Sequence, residues 1–144
     1  MRAAVEAARA LPYPFMLTAR YENFPRRRDL ADTIARLQAY QEAGANVLYA
    51  PGLASKEDIA TVVRSVDRPM NVLISGSDAL PVAELSAIGV KRVSVGSGLA
   101  RVAIGAFLKA ATGLRDSGKL DVSSAVTFRD ISAMFDAETP EPPR

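Results

Sequence analysis

The chain has 144 residues, 49% apolar and 24% charged, with a formal charge of +2, the make-up of one ordinary water-soluble domain and too balanced to mark a nucleic-acid face. It contains neither Cys nor His. That excludes disulfides, thiolate zinc sites, thiol nucleophiles and every imidazole base; proton chemistry is left to Asp, Glu, Lys or Tyr, and any cation to oxygen ligands such as Mg2+ or Mn2+ accept.

The chain opens on MRAAVEAARALPYPF, which has the basic start and alanines of a signal peptide, but Glu6 and Arg9 interrupt the apolar stretch. It reads as a helix. No window approaches the ~18 consecutive apolar residues that a bilayer span needs, so a soluble, cytoplasmic protein without membrane partners is expected. The first strand is FMLTA (15–19), where Met16 reads as core, and it runs directly into Arg20 and Glu22. The Arg26 to Arg28 run that follows reads as solvated loop. Asp29 can cap a helix with apolar positions Leu30, Ile34 and Leu37, and Gly44 ends it.

The second strand is NVLYA (46–50). Ser55 with Asp58 forms a capping start for the helix of Ile59, Val62, Val63 and Val66. The third strand, NVLI (71–74), precedes a helix from about Asp78 through Leu85 and Ile88 to Gly89, and the fourth is RVSV (92–95). A long helix then covers about Leu99 to Ser117 and another lies near Thr127 to Asp136, before the polar, proline-rich tail 138–144, which reads as disordered.

Strands that alternate with helices in this way must pair in parallel. Two architectures remain: an open doubly wound sheet, or part of a (β/α)8 barrel, which takes ~250 residues when complete. The open sheet normally carries a glycine-rich phosphate turn after its first strand, and ARYENF has no glycine there. A partial TIM barrel of the α/β class is therefore expected, one domain over residues 1–137. Its edge strands FMLTA and RVSV would present unpaired backbone groups. Its inner face, with Leu17, Val47 or Leu48, Leu73 and Val93 or Val95 as candidates, would meet water, so a homo-oligomer is expected.

In either architecture ligands bind at the C-terminal ends of the strands. Arg20 stands at the first of these ends, where its guanidinium fork suits a carboxylate or phosphate; alternatively it pairs with Glu22 and orders the turn. Asn is depleted in strands, yet Asn71 sits inside PMNVLIS, on one face with Leu73 and Ser75. It can donate to a ligand oxygen or bond a neighbouring backbone. Gly96, Ser97 and Gly98 lie between the fourth strand and the long helix, where free N–H groups can bind an anion or merely form a turn.

The blocks ARYENF, DLADTIARLQAYQEAGANVLYAPGL, RPMNVL and GVKRVSVG, in that order over residues 1–137, resemble the isocitrate lyase / phosphoenolpyruvate mutase superfamily. The resemblance implies strands five to eight of a (β/α)8 barrel with the trailing C-terminal helices. It implies that Arg20 binds a substrate carboxylate, that Glu22 is the acidic partner two positions on, and that Asn71 contributes to an oxyacid pocket. Pro51 stands where isocitrate lyases carry a glutamate, and Leu73 where they carry serine. These departures point away from isocitrate cleavage, toward a 2-oxo acid or phosphonate substrate.

The implied Mg2+ ligands and catalytic loop belong to the other half of the barrel, so neither a metal nor a catalytic residue is assigned to this chain. The expected function is the substrate-binding half of a Mg2+-dependent lyase or mutase acting on a small oxyacid through an enolate. A non-catalytic half-barrel or anion-binding module is the alternative.

Overall fold

The computed structural model describes residues 1–76 and 79–136. The chain divides into two compact units, Met1–Leu99 and Ala100–Arg144. In the first, α1 (Arg2–Arg9) leads to β1 (Thr18–Arg20), the short α2 (Phe24–Arg27) and α3 (Leu30–Glu42). Then β2 (Val47–Tyr49), α4 (Lys56–Arg64), β3 (Met70–Leu73), α5 (Val82–Ala87) and β4 (Arg92–Ser94) follow in strict alternation. All pairings are parallel and the strand order is β1-β2-β3-β4.

Local chemistry sets the helix bounds. The Asp29 carboxylate accepts the Asp32 N–H at 2.9 Å and starts α3, and Ser55 Oγ accepts the Asp58 N–H at 3.1 Å to start α4. After α3 the chain must reverse within four residues to enter β2, and Gly44 does so at φ +101°. Nothing larger fits there: a Cβ would lie 2.9 Å from Val5 Cγ1 on α1.

Period two divides the sheet into unlike faces. Ala19, Leu48, Met70 and Val72 share one core with Leu37 of α3, Ile59 and Val62 of α4, and Leu85 of α5. The other face carries Thr18 and Arg20, Val47 and Tyr49, Asn71 and Leu73, then Arg92 and Ser94, paired by the register. Of the inner-face candidates, Val47 and Leu73 are therefore in place. Leu48, Val93 and Val95 fall in the phase of the helix-covered face, and Leu17 is in phase with Ala19 rather than Arg20.

Other differences have local causes. The first strand lies nearer its arginine than FMLTA implies, and Met16 is 65% exposed rather than core. Arg26 and Arg27 belong to α2, not to a loop, because Phe24 is buried and anchors that turn. Helix α5 opens at Val82 after Pro81, whose fixed φ of −58° suits a helix entry; its expected start at Asp78 lies outside the described residues, as does the tail 138–144.

Helix α6 (Gly98–Ser117) begins at the end of the first unit and makes up much of the second, followed by α7 (Phe128–Asp136). Thr127 caps α7 by accepting the Asp130 N–H at 3.2 Å and donating to the Asp130 carboxylate at 2.7 Å. No residue of α6 is buried, although Val102, Ile104, Phe107 and Leu108 are all large and apolar. Among the described residues no helix is long and apolar enough to cross a membrane.

Gly44→Ala should lower stability by about 1–3 kcal/mol, since it combines a left-handed backbone with a clash. A chemical-denaturation midpoint equal to the wild-type value would show that α1 gives way freely.

Candidate functional site

The register lines up Arg20, Tyr49, Asn71 and Arg92 as neighbours across all four strands. The row starts at the last residue of β1 and ends at the first of β4, so it runs obliquely from the C-terminal end of the sheet toward the N-terminal end. Oblique rows of this kind belong to sheets that close with shear.

At its upper end, the Arg20 guanidinium stacks over the Tyr49 ring, 5.2 Å from the centroid. Its Nε pairs with the Glu22 carboxylate. Tyr49 is buried while the Arg20 side chain is 55% exposed, so the cation has a fixed aromatic floor and an open upper side. Among the described residues, nothing bonds its two terminal nitrogens. The ion pair with Glu22 exists, and the rest of the guanidinium is exposed.

Tyr21 fixes this strand end from the opposite face. Its N–H donates to the Tyr49 carbonyl at 2.8 Å, extending the β1–β2 ladder past Arg20. Its hydroxyl donates to the Asp32 carboxylate on α3, and Arg36 of the same helix lies over its ring at 5.9 Å. The bond to Asp32 holds the Tyr21 phenol above its ordinary titration range, helped by partial desolvation.

Lower in the row, Asn71 is 1% exposed and bonded to β4 through both its oxygen and its nitrogen. Its Oδ1 accepts from Arg92 Nη1 at 2.9 Å and its Nδ2 donates to Ser94 Oγ at 3.0 Å. The structure therefore joins Arg20 with Glu22, and Asn71 with Arg92 and Ser94, linking the two groups through Tyr49. Arg92 is a residue that the sequence reading does not single out. A signal is there, since an arginine opening the fourth strand is in phase with Ser94 and out of phase with the valines.

Gly96 turns at φ +53°, and the Gly98 N–H donates to the Val95 carbonyl at 2.9 Å as α6 begins. That N–H is spent on the turn, whereas Gly96 and Ser97 remain exposed. Among the described residues that close the strands, Glu22 is the only carboxylate. No cluster of three or more Asp or Glu converges among the described residues. An oxygen-ligated cation keeps about six ligands, so these side chains do not by themselves fit one.

The family model for phosphoenolpyruvate phosphomutase matches residues 1–115. The chain belongs to that family. Its fold is that of the wider phosphoenolpyruvate mutase/isocitrate lyase superfamily, whose enzymes are typically metal-dependent. A provisionally assigned lyase/mutase of Burkholderia cenocepacia J2315 is 56% identical, with a TM-score of 0.86 over 95% of this chain and 50% of its own. Oxaloacetate acetylhydrolase with its product oxalate is 26% identical, with a TM-score of 0.81 over 95% and 48%. Phosphonopyruvate hydrolase is 27% identical, with a TM-score of 0.73 over 95% and 50%.

The chain thus spans about half the length of these structures. It spans 39% of two uncharacterised Mycobacterium tuberculosis proteins, to which it is 31% identical over 106 residues, 73% of this chain. The four parallel strands are accordingly those of a partial TIM-type barrel.

Tyr21 supplies a test of the geometry. Because its pKa is raised in the folded state, its bond to Asp32 contributes stability that is complete below the ordinary tyrosine value and fades as pH rises through the folded one. Absorbance titration of the phenolates should show one tyrosine ionising above the others, absent in Tyr21→Phe. If the variant titrates like the wild type, Tyr21 does not donate to Asp32.

Proposed function

We propose that this chain supplies the oxyacid-gripping part of a lyase- or mutase-type active site, acting on a 2-oxo acid or a related phosphonate. The observation that carries the proposal is the placement of Arg20: a guanidinium at a strand's C-terminal end, seated on Tyr49, with two nitrogens open among the described residues. A carboxylate can accept both N–H bonds of that fork in its own plane. Glu22 holds Nε and so fixes the direction in which the fork points.

In this reading the cation lies beside the substrate's carboxylate while negative charge develops on the adjacent carbon and oxygen as an enolate forms. A fixed positive group in that position stabilises the charged state more than the ground state. Asn71 contributes from below by keeping the row polar and rigid, and the N–H groups at Gly96 and Ser97 offer a second anion contact. Mg2+, where the complete enzyme holds it, would supply Lewis-acid stabilisation of the same developing charge. The relatives support this substrate class, since oxaloacetate acetylhydrolase and phosphonopyruvate hydrolase are named for a 2-oxo acid and its phosphonate counterpart.

The reading extends to assembly. Helices α6 and α7 leave Val102, Phe107, Phe128 and Phe135 exposed, the last two at 91% and 85%. Single exposed apolar residues are ordinary, but a succession along two helices marks an interaction surface. A second copy of this chain is the proposed cover. Light scattering at micromolar concentration should give a mass above that of one chain, and a stable monomer would refute the assignment.

For the site, calorimetric titration with oxalate should detect binding that Arg20→Lys weakens by about ten- to a hundredfold, the range of a charge-assisted hydrogen bond, with an unchanged melting temperature. Equal affinity in the variant, together with a large loss of melting temperature, would assign Arg20 to ordering its own loop.

A further inference from the structure

At the opposite end of the sheet from Arg20, the first unit contains a cavity of about 270 Å3, bounded by α1, the segment leading into β1 and the turns before β2 and β3. Its lining has two characters. Leu11, Phe15 and Leu17 make an apolar wall, and the arginines Arg9 and Arg68 line it from separate parts of the chain. Among the described residues no carboxylate lines it.

Two nearby polar groups already have partners, while Tyr13 also lines the cavity. Asn46 Oδ1 accepts the Leu17 N–H at 2.9 Å. Asp67, beside Arg68, accepts from Gln41 Nε2 at 3.2 Å and gives its own N–H to Gln41 Oε1 at 2.9 Å. Among the described residues neither Arg9 nor Arg68 enters an ion pair. Arg9 runs beside the Gly44 turn, its Nη2 3.1 Å from where a Cβ at residue 44 would sit. Two like charges facing one cavity repel unless an anion lies between them.

We propose that this cavity binds a small organic anion. Its phosphate or carboxylate group lies between Arg9 and Arg68, and its apolar part rests against Leu11, Phe15 and Leu17. Arginine suits both headgroups because its fork matches their oxygen spacing. The volume admits a molecule the size of a phenyl ester and little more. Binding would tie α1 to the turn before β3, two segments that are far apart in sequence. The site is independent of the oxyacid reading, being built from different residues at the other end of the strands.

The test is a titration followed by the backbone amide signals of Leu17, Gly44 and Asn46, with phenyl phosphate and benzoate as separate probes. A saturable shift with either probe is expected, and the tighter of the two identifies the headgroup. Inorganic phosphate, which cannot use the apolar wall, should bind more weakly than phenyl phosphate.

Arg68→Gln should weaken the better probe about tenfold, the loss of one charge-assisted contact, and Arg9→Gln should act in the same direction. Arg20→Lys should leave it unchanged. Arg9 packs against the Gly44 turn, so the variant at the exposed Arg68 is decisive if Arg9→Gln folds poorly. Absence of a saturable shift with both probes overturns the proposal, as does binding that survives Arg68→Gln unaltered or is lost in Arg20→Lys.

Discussion

The parallel register is the constraint on which everything else depends. Because Arg20 pairs with Tyr49, Tyr49 with Asn71 and Asn71 with Arg92, four side chains from distant parts of the sequence share one face and one row. A slip of one residue in any pair would carry its polar member into the helix-covered core and bring Leu48 or Val72 onto the polar face. That exchange would bury a guanidinium or an amide among aliphatic groups, which costs several kcal/mol without a partner. The core therefore specifies the site: the apolar set Ala19, Leu48, Met70 and Val72 has one satisfactory phase, and that phase puts Arg20 on the open side.

Tyr21 turns this register into a position. Arg20 is the last residue of β1, where a strand end would ordinarily fray. The Tyr21 N–H continues the ladder for one more residue, and its hydroxyl reaches across to Asp32 on α3. Asp32 is itself in the first turn of a helix capped by Asp29, where a carboxylate is favoured by the helix dipole. The strand end is thus anchored to a helix N-terminus on one face while Arg20 rests on Tyr49 on the other. An arginine held from both faces would lose little freedom on taking a ligand, and preorganisation of that kind is what positions charge before a reaction.

Much of this is legible in the sequence, and the unread part has a physical reason in each case. Helix starts at Asp29 and Ser55 and the turn at Gly44 carry their signal within three or four residues, and they form where expected. Strand bounds are less local: FMLTA has the composition of a strand, but Phe15 and Met16 find no partner on the sheet and stay exposed. Helix α2 escapes a reading of local pattern because its four residues FPRR hold two arginines and a proline; what makes it a helix is the burial of Phe24, a tertiary fact. The phase of the fourth strand is hidden for a related reason. Its valines look like the buried set, yet β4 is an edge strand and only the pairing of Asn71 with Arg92 decides which side faces which.

That pairing changes what Asn71 means. Its sequence position allows a bond to a ligand or to a neighbouring backbone, and the structure supplies a third arrangement in which Arg92 and Ser94 take its oxygen and nitrogen. A buried amide is costly unless it is satisfied, and here both partners come from the adjacent strand. Asn71 therefore locks β3 to β4 by side chains as well as by the ladder, at the level where the oblique row descends from the strand ends. One amide proton remains for an approaching group, but the two strong contacts are already made. Among the described residues, the exposed fork of Arg20 is the part of the row still lacking partners, and a ligand entering at the strand ends would meet it first.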